Sequence, residues 1–134
     1  MPIKTQKNSI DIGIIAKDID AMLIFYRDAL GLDLEATIPM PGGGTMHRFK
    51  VGDSVIKVIQ LDPPPTSEAK PGGIRTASGY RYWTIHVPDL EGVVRQVTEA
   101  GYKLAAPIRT IREGVSIAFI EDPDGNWVEL LENS

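Results

Sequence analysis

The chain has 134 residues, a length that fits one domain able to bury roughly two thirds of its surface. Its formal net charge of -4 comes without a basic cluster, which argues against nucleic acid and anionic membranes as main partners, and the lack of cysteine excludes disulfides, thiolate nucleophiles and Cys-ligated metal centres. No apolar run approaches the ~20 residues of a membrane span, and the opening MPIKTQKNSI lacks the apolar core of a signal peptide, so the expectations are a cytoplasmic location and a small-molecule or protein partner.

Ser9 to Ala16 reads as a strand with Ile10, Ile12, Ile14 and Ala16 on one face and Asp11, Gly13 and Ile15 on the other. Asp18 is a helix N-cap, after which Ile19, Met22, Leu23, Tyr26 and Leu30 recur at helical spacing up to a closing Gly31. Leu32 to Pro39 forms a second strand. The glycine-rich loop from Pro39 to Gly44 then suits a lid over a cleft. Thr45 to Val51 and Ser54 to Leu61 read as a hairpin about Gly52-Asp53, with Val55, Lys57 and Ile59 sharing one face of its second strand. Residues 62–79, which include Pro63, Pro64, Pro65 and Pro71, read as a linker with neither strand nor helix.

Tyr80 to Val87 resumes as a strand, with Tyr82, Thr84 and His86 on one face and Trp83, Ile85 and Val87 on the other. After Asp89, Leu90, Val93, Val94 and Val97 mark a second amphipathic helix ended by Gly101. Three more strands follow at Tyr102 to Ile108, Val115 to Glu121 and Asn126 to Glu132. Asp122-Pro123-Asp124-Gly125 has the composition of a type I turn; Gly125 comes too early for a calcium loop. Beyond the turn, Trp127, Glu129 and Leu131 share a face. A carboxylate among apolar neighbours needs water at a sheet edge, or a cation, a donor or a metal.

The chain thus repeats itself: strand, helix, three strands over residues 8–61, a linker over 62–79, and the same order over 80–134. The expected fold is α+β, two tandem βαβββ modules in one domain. Aligning the repeats makes Asp11 equivalent to Tyr82 and Lys57 equivalent to Glu129.

Tandem βαβββ modules, with FYRDALGL closing the first helix and EDPDGNWVELLE closing the second module, resemble the vicinal oxygen chelate superfamily. Its members include glyoxalase I, methylmalonyl-CoA epimerase, extradiol dioxygenases, fosfomycin-resistance enzymes and bleomycin-resistance binding proteins. The resemblance covers nearly the whole chain and implies a curved sheet around a cleft, a homodimer and a small-molecule ligand. In metal-using members similar to glyoxalase I, each module gives one ligand from its first strand and one from its last, typically His and Glu or Gln. Carried over by motif, those positions are Asp11, Lys57, Tyr82 and Glu129, of which only Glu129 keeps the usual type. A bound metal would take Glu129 and Asp11, but an ammonium at Lys57 offers no lone pair, so a divalent metal is disfavoured and no cofactor is expected.

The substituted set suggests a lysine in place of the metal, with the Lys57 ammonium between Asp11 and Glu129 and Tyr82 as a hydroxyl donor. Lys57 and Tyr82 would then polarise a carbonyl or stabilise an enolate while Glu129 or Asp11 moves a proton; a structural salt bridge in a binding cavity is the alternative. His86 is a further acid or base candidate, against a neutral histidine at a strand end. Trp127, Thr84 and His47 are candidate substrate contacts, Trp83 is expected beneath a helix, and Arg75 and Arg81 could meet an anionic substrate or remain solvated. Three functions follow: a metal-independent or metal-atypical isomerase, epimerase or lyase acting on a carbonyl compound; a non-catalytic small-molecule binder; and a divalent-metal glyoxalase or dioxygenase, which Lys57 and Tyr82 disfavour.

Overall fold

Strand β1 (Asp11–Ile15) runs parallel to β4 (Ser54–Leu61), which pairs antiparallel with β3 (Gly44–Val51) and through it with β2 (Asp33–Pro39). The computed structural model, which describes residues 2–134, repeats this topology in a second sheet. There β5 (Tyr82–His86) is parallel to β8 (Trp127–Asn133), followed by β7 (Val115–Glu121) and β6 (Leu104–Arg112). The registers verify the internal alignment. Asp11 faces Val55 as Tyr82 faces Trp127, and Gly13 faces Lys57 as Thr84 faces Glu129.

Both helices begin where their aspartates cap them. Asp18 accepts from the Ala21 amide at 3.2 Å to open α1 (Ile19–Leu23), and Asp89 accepts from the Gly92 amide at 3.0 Å to open α2 (Leu90–Glu99). From Ile24 to Ala29 the first helix widens into a π turn, seen in the Leu30 amide bonding to the Phe25 carbonyl at 2.9 Å. This extra residue per turn was not expected. It carries both Phe25 and Tyr26 into the core, where their rings meet edge to face at 4.9 Å.

One core serves both modules. Ile56, Val58 and Phe49 of the first sheet and Ile85, Ala118, Ile120, Val128 and Leu130 of the second enclose residues of both helices, among them Met22, Phe25, Leu90 and Val97. Each sheet therefore turns one face to the shared interior, and Trp83 stacks on Tyr26 as expected for a residue beneath a helix. The other faces carry Asp11 with Lys57 and Tyr82 with Glu129.

The Asp122-Pro123-Asp124-Gly125 turn closes with a Gly125 amide to Asp122 carbonyl bond of 3.0 Å. It also ties the modules together. Asp122, 3% exposed, accepts from the Tyr26 hydroxyl at 2.6 Å, while its other oxygen takes the Asp124 and Asn126 amides. Asp124 accepts from the backbone amides of Lys17 and Asp18 at 2.6 and 3.1 Å, completing the approach to α1.

Two sequence expectations need correction. Residues 62–79 do contain helix, one 3₁₀ turn at Gly73–Arg75, because Arg81 ties it down through bonds to the Gly73 and Lys70 carbonyls and the Thr76 hydroxyl. Arg81 is thus engaged with the linker. The glycine loop is not a free lid: side chains at Gly43 and Gly44 would overlap the Asp62 and Gln60 carbonyls, and across the turn the Met40 amide donates to the Gly44 carbonyl while the Met40 carbonyl accepts from the Gly43 amide. No helix is long and apolar enough to cross a membrane among the described residues.

Candidate functional site

The outward face of the second sheet is built by strand alternation, which leaves Tyr82, Thr84, His86, Trp127, Glu129 and Phe119 on one side while Trp83, Ile85, Val128 and Leu130 enter the core. Thr84 and Phe119 flank Glu129 in register on the adjoining strands, and the Thr84 hydroxyl donates to Glu129 Oε1 at 2.7 Å. Phe119 stands edge-on to Tyr82 at 5.3 Å and tilts against Trp127 at the same separation. One carboxylate thus sits in a row of aromatic rings, held by one hydroxyl. Trp127 Nε1 donates to Glu121 at 3.1 Å, and the Gly73 backbone lies so close to the indole that a Cβ there would overlap it. The linker therefore closes one end of this aromatic face.

The outward face of the first sheet holds the charged half. Lys57 Nζ is 3.9 Å from Asp11 Oδ2, whereas Asp11 Oδ1 accepts from Lys7 at 2.7 Å, a partner the sequence did not disclose. That hydrogen bond, with the charges of Lys7 and Lys57, holds the Asp11 carboxyl below its usual 3.8 against the cost of desolvation. Arg48 stands opposite Lys57 on β3 and reaches Glu35 at 3.4 Å.

The two halves do not meet inside one chain. Among the described residues no ion pair joins Lys57 to Glu129, and the arrangement with Lys57 between Asp11 and Glu129 is not formed within the chain. The cause is topological: both sheets face a common core, so their other faces look away from it. His86 lies exposed at the end of β5 on the face of Thr84. His47, between Arg48 and Met46, lies on the helix side of its sheet in register with Val58, and Nδ1 is 3.2 Å from the Thr37 hydroxyl. It therefore shares no face with Lys57, and partial burial lowers its pKa.

A divalent metal finds a poor donor set. Of the four positions that the family pattern carries over, one is an ammonium, which has no lone pair for a metal, and one a phenol. A cavity of about 360 Å³ lies elsewhere, between the start of α2 and β6 to β8, lined by Asp89, Leu90, Ile108 and Glu132. Its best-placed polar groups are already committed: Glu132 takes the Leu90 amide at 2.8 Å and Asp89 takes that of Gly92.

Comparison with known proteins supplies the remaining observations. The model of the Glyoxalase/Bleomycin resistance protein/Dioxygenase superfamily matches residues 10–130. A probable lactoylglutathione lyase of Synechocystis sp. is 30% identical over 121 residues, spanning 87% of this chain and 88% of that protein. A glyoxalase family protein from Bacillus cereus superposes with a TM-score of 0.81 at 20% identity over 99% of both chains. TnmS3, an antibiotic binding protein from Streptomyces sp. CB03234, superposes with a TM-score of 0.72 at 19% identity, covering 98% of this chain and all of its own.

Proposed function

Because the chain belongs to the glyoxalase, bleomycin resistance and dioxygenase superfamily, we propose that it is a small-molecule enzyme moving a proton at a carbonyl compound, as a lyase or isomerase, without a resident divalent metal. The observation that carries this reading is the Thr84 to Glu129 hydrogen bond of 2.7 Å on an aromatic sheet face turned away from the core. A carboxylate so placed is a general base: one oxygen is oriented by the hydroxyl, and the other is available to a substrate C–H. Glu129 takes the proton from the carbon next to the carbonyl. The electron pair moves onto the carbonyl oxygen, where the Tyr82 hydroxyl donates and the Lys57 ammonium opposes the negative charge. Where the carbon that lost its proton bears a hydroxyl, the protonated Glu129 returns the proton to the former carbonyl carbon, and the hydroxyl proton passes to the enolate oxygen as the carbonyl re-forms on the adjacent carbon. The relative named a probable lactoylglutathione lyase makes the glutathione adduct of a 2-oxoaldehyde the first substrate to try.

Lys57 and Glu129 face away from one core, so the reading requires a homodimer in which the charged face of one protomer meets the aromatic face of its partner, twice by symmetry. Ile15 and Tyr82, 46% and 47% exposed on these faces, are apolar surface that such pairing would cover. A mixing experiment tests both parts. Lys57→Met and Glu129→Gln homodimers should each lose about 10²–10⁴-fold in turnover, while a re-equilibrated equal mixture should recover roughly a quarter of wild-type activity through the intact site of each heterodimer. No recovery would place the site within one chain and end the shared-site reading.

The second reading is a non-catalytic small-molecule binder. The Tyr82 and Trp127 rings, packed on either side of the buried Phe119, favour it, since they offer stacking surface without needing Glu129 to move a proton. Ligand-induced quenching of tryptophan emission, with no turnover of any carbonyl substrate, would decide for it.

A further inference from the structure

Arg48 stands directly opposite Lys57 in the antiparallel ladder of the first sheet. Like charges facing each other in such a pair are destabilising, and neither cation is fully compensated. Arg48 meets Glu35 through Nε alone, at 3.4 Å. Lys57 stands 3.9 Å from Asp11, whose closer bond goes to Lys7. On its other flank Lys57 faces Gly13, where a Cβ would meet nothing within 4 Å, so the neighbouring strand leaves open space beside it. The side chains of Arg48 and Lys57 are only 27% and 29% exposed, which limits the water available to screen them. The equivalent row of the second sheet, Thr84, Glu129 and Phe119, holds a carboxylate and no cation.

We propose that Arg48 and Lys57 form an anion site that receives a carboxylate of the ligand. This rests on the reading of the charged sheet face as half of a small-molecule cleft, and it narrows the ligand class to carbonyl compounds bearing a free carboxylate. A guanidinium offers a planar fork that matches a carboxylate, and the adjacent ammonium adds a compact charge with rotatable donors. An anion between them converts a repulsive pair into a compensated one. Arg48 is then a specificity residue, and the strain it imposes on the free protein is the cost of selecting an anionic ligand.

Acetate and inorganic phosphate serve as probes, titrated separately into isotope-labelled full-length protein at an ionic strength held constant with chloride. Acetate should produce saturable NMR shifts at the Arg48 Nε–H and the Lys57 Cε methylene, and these should vanish in Arg48→Gln. Without either probe, Arg48→Gln and Lys57→Met should each melt about 1–4 °C higher than wild type. The double variant should gain no more than the better single one, because the same repulsion is relieved once. Absence of a saturable acetate shift, or a lower midpoint in both single variants, overturns the site; saturation by phosphate alone overturns its assignment to carboxylates. None of these readouts needs turnover, so intact acetate binding by a protein inactive on every carbonyl substrate would sink the enzyme reading and leave the anion site standing.

Discussion

Replacing Tyr26 by Phe deletes one oxygen from the centre of the molecule and with it the 2.6 Å bond to Asp122 that joins module one to the last turn of module two. The ring and its contacts with Phe25, Phe49 and Trp83 remain, so the packing term is nearly unchanged. A hydrogen bond to a charged acceptor stabilises a fold by about 1.5–3 kcal/mol and one to a neutral acceptor by about 0.5–1.5 kcal/mol. At ~2.1 cal/mol/K of unfolding entropy per residue, 134 residues unfold with ~280 cal/mol/K, so each kcal/mol moves the midpoint by ~3.6 °C. The expected drop is therefore roughly 5–11 °C at neutral pH if Asp122 is ionised, and roughly 2–5 °C if burial keeps it protonated. Thermal unfolding followed by circular dichroism and calorimetry, at one protein concentration to hold any association constant, measures it. A midpoint within about 1 °C of wild type would refute the assignment of this bond as the link between the modules.

The same pair governs two limbs of the pH profile. Burial pushes the Asp122 carboxyl above its usual 3.8, against the opposing bonds from Tyr26 and Asn126, so the folded chain holds a proton that the unfolded chain has released. Its contribution to stability is complete below 3.8 and falls as pH rises through the folded value; in urea titrations Asp122→Asn should flatten that slope. Burial likewise pushes the Tyr26 phenol well above 10.0, so stability should fall as pH rises beyond 10.0, and less steeply in Tyr26→Phe. Asp124→Ala, which strips the acceptor from the Lys17 and Asp18 amides, should cost about 0.5–2 kcal/mol in the same titrations, as loss of a helix cap does. Gly73→Ala forces a methyl into the Trp127 indole at a φ of +72°, and should lift the linker, shift tryptophan emission to the red and speed proteolysis within residues 62–79; unchanged emission would mean that the linker does not cover Trp127.

Local pattern revealed the architecture and little of its long-range wiring. The cap at Asp18, the start of the second helix after Asp89, the strand faces around Lys57 and Glu129, and the repeat that equates them were readable because each depends on neighbours within a few residues and on a period of two or about three and a half. The π turn was not, since spacings of three and four apolar residues do not distinguish a standard helix from one that widens over a single stretch and buries Phe25. Asp122 and Asp124 were legible as a turn, but their service to Tyr26 and to the start of α1 spans about a hundred residues and leaves no local mark. The same holds in the site. Arg48 as the neighbour of Lys57 required the register of strands that sequence alone places only approximately, and Lys7, four residues before Asp11, lies in a bend where no periodicity marks its partner. His47, a candidate substrate contact by sequence, pairs with Val58 and so stands on the other side of the sheet from Lys57. What signalled the site before any coordinates was the mismatch itself, a lysine and a tyrosine at positions where the family pattern has ligands.

The bonds from Asp124 to the Lys17 and Asp18 amides reach from near the end of the chain to its first helix, across 107 and 106 positions. During synthesis, module one emerges long before that turn exists. Any nascent chain shorter than residue 122 carries an α1 whose preceding amides lack their acceptor and a Tyr26 whose hydroxyl lacks Asp122. Module one should accordingly stay loosely packed on the ribosome, susceptible to proteases and available to chaperones, until the final hairpin leaves the exit tunnel and both modules consolidate together.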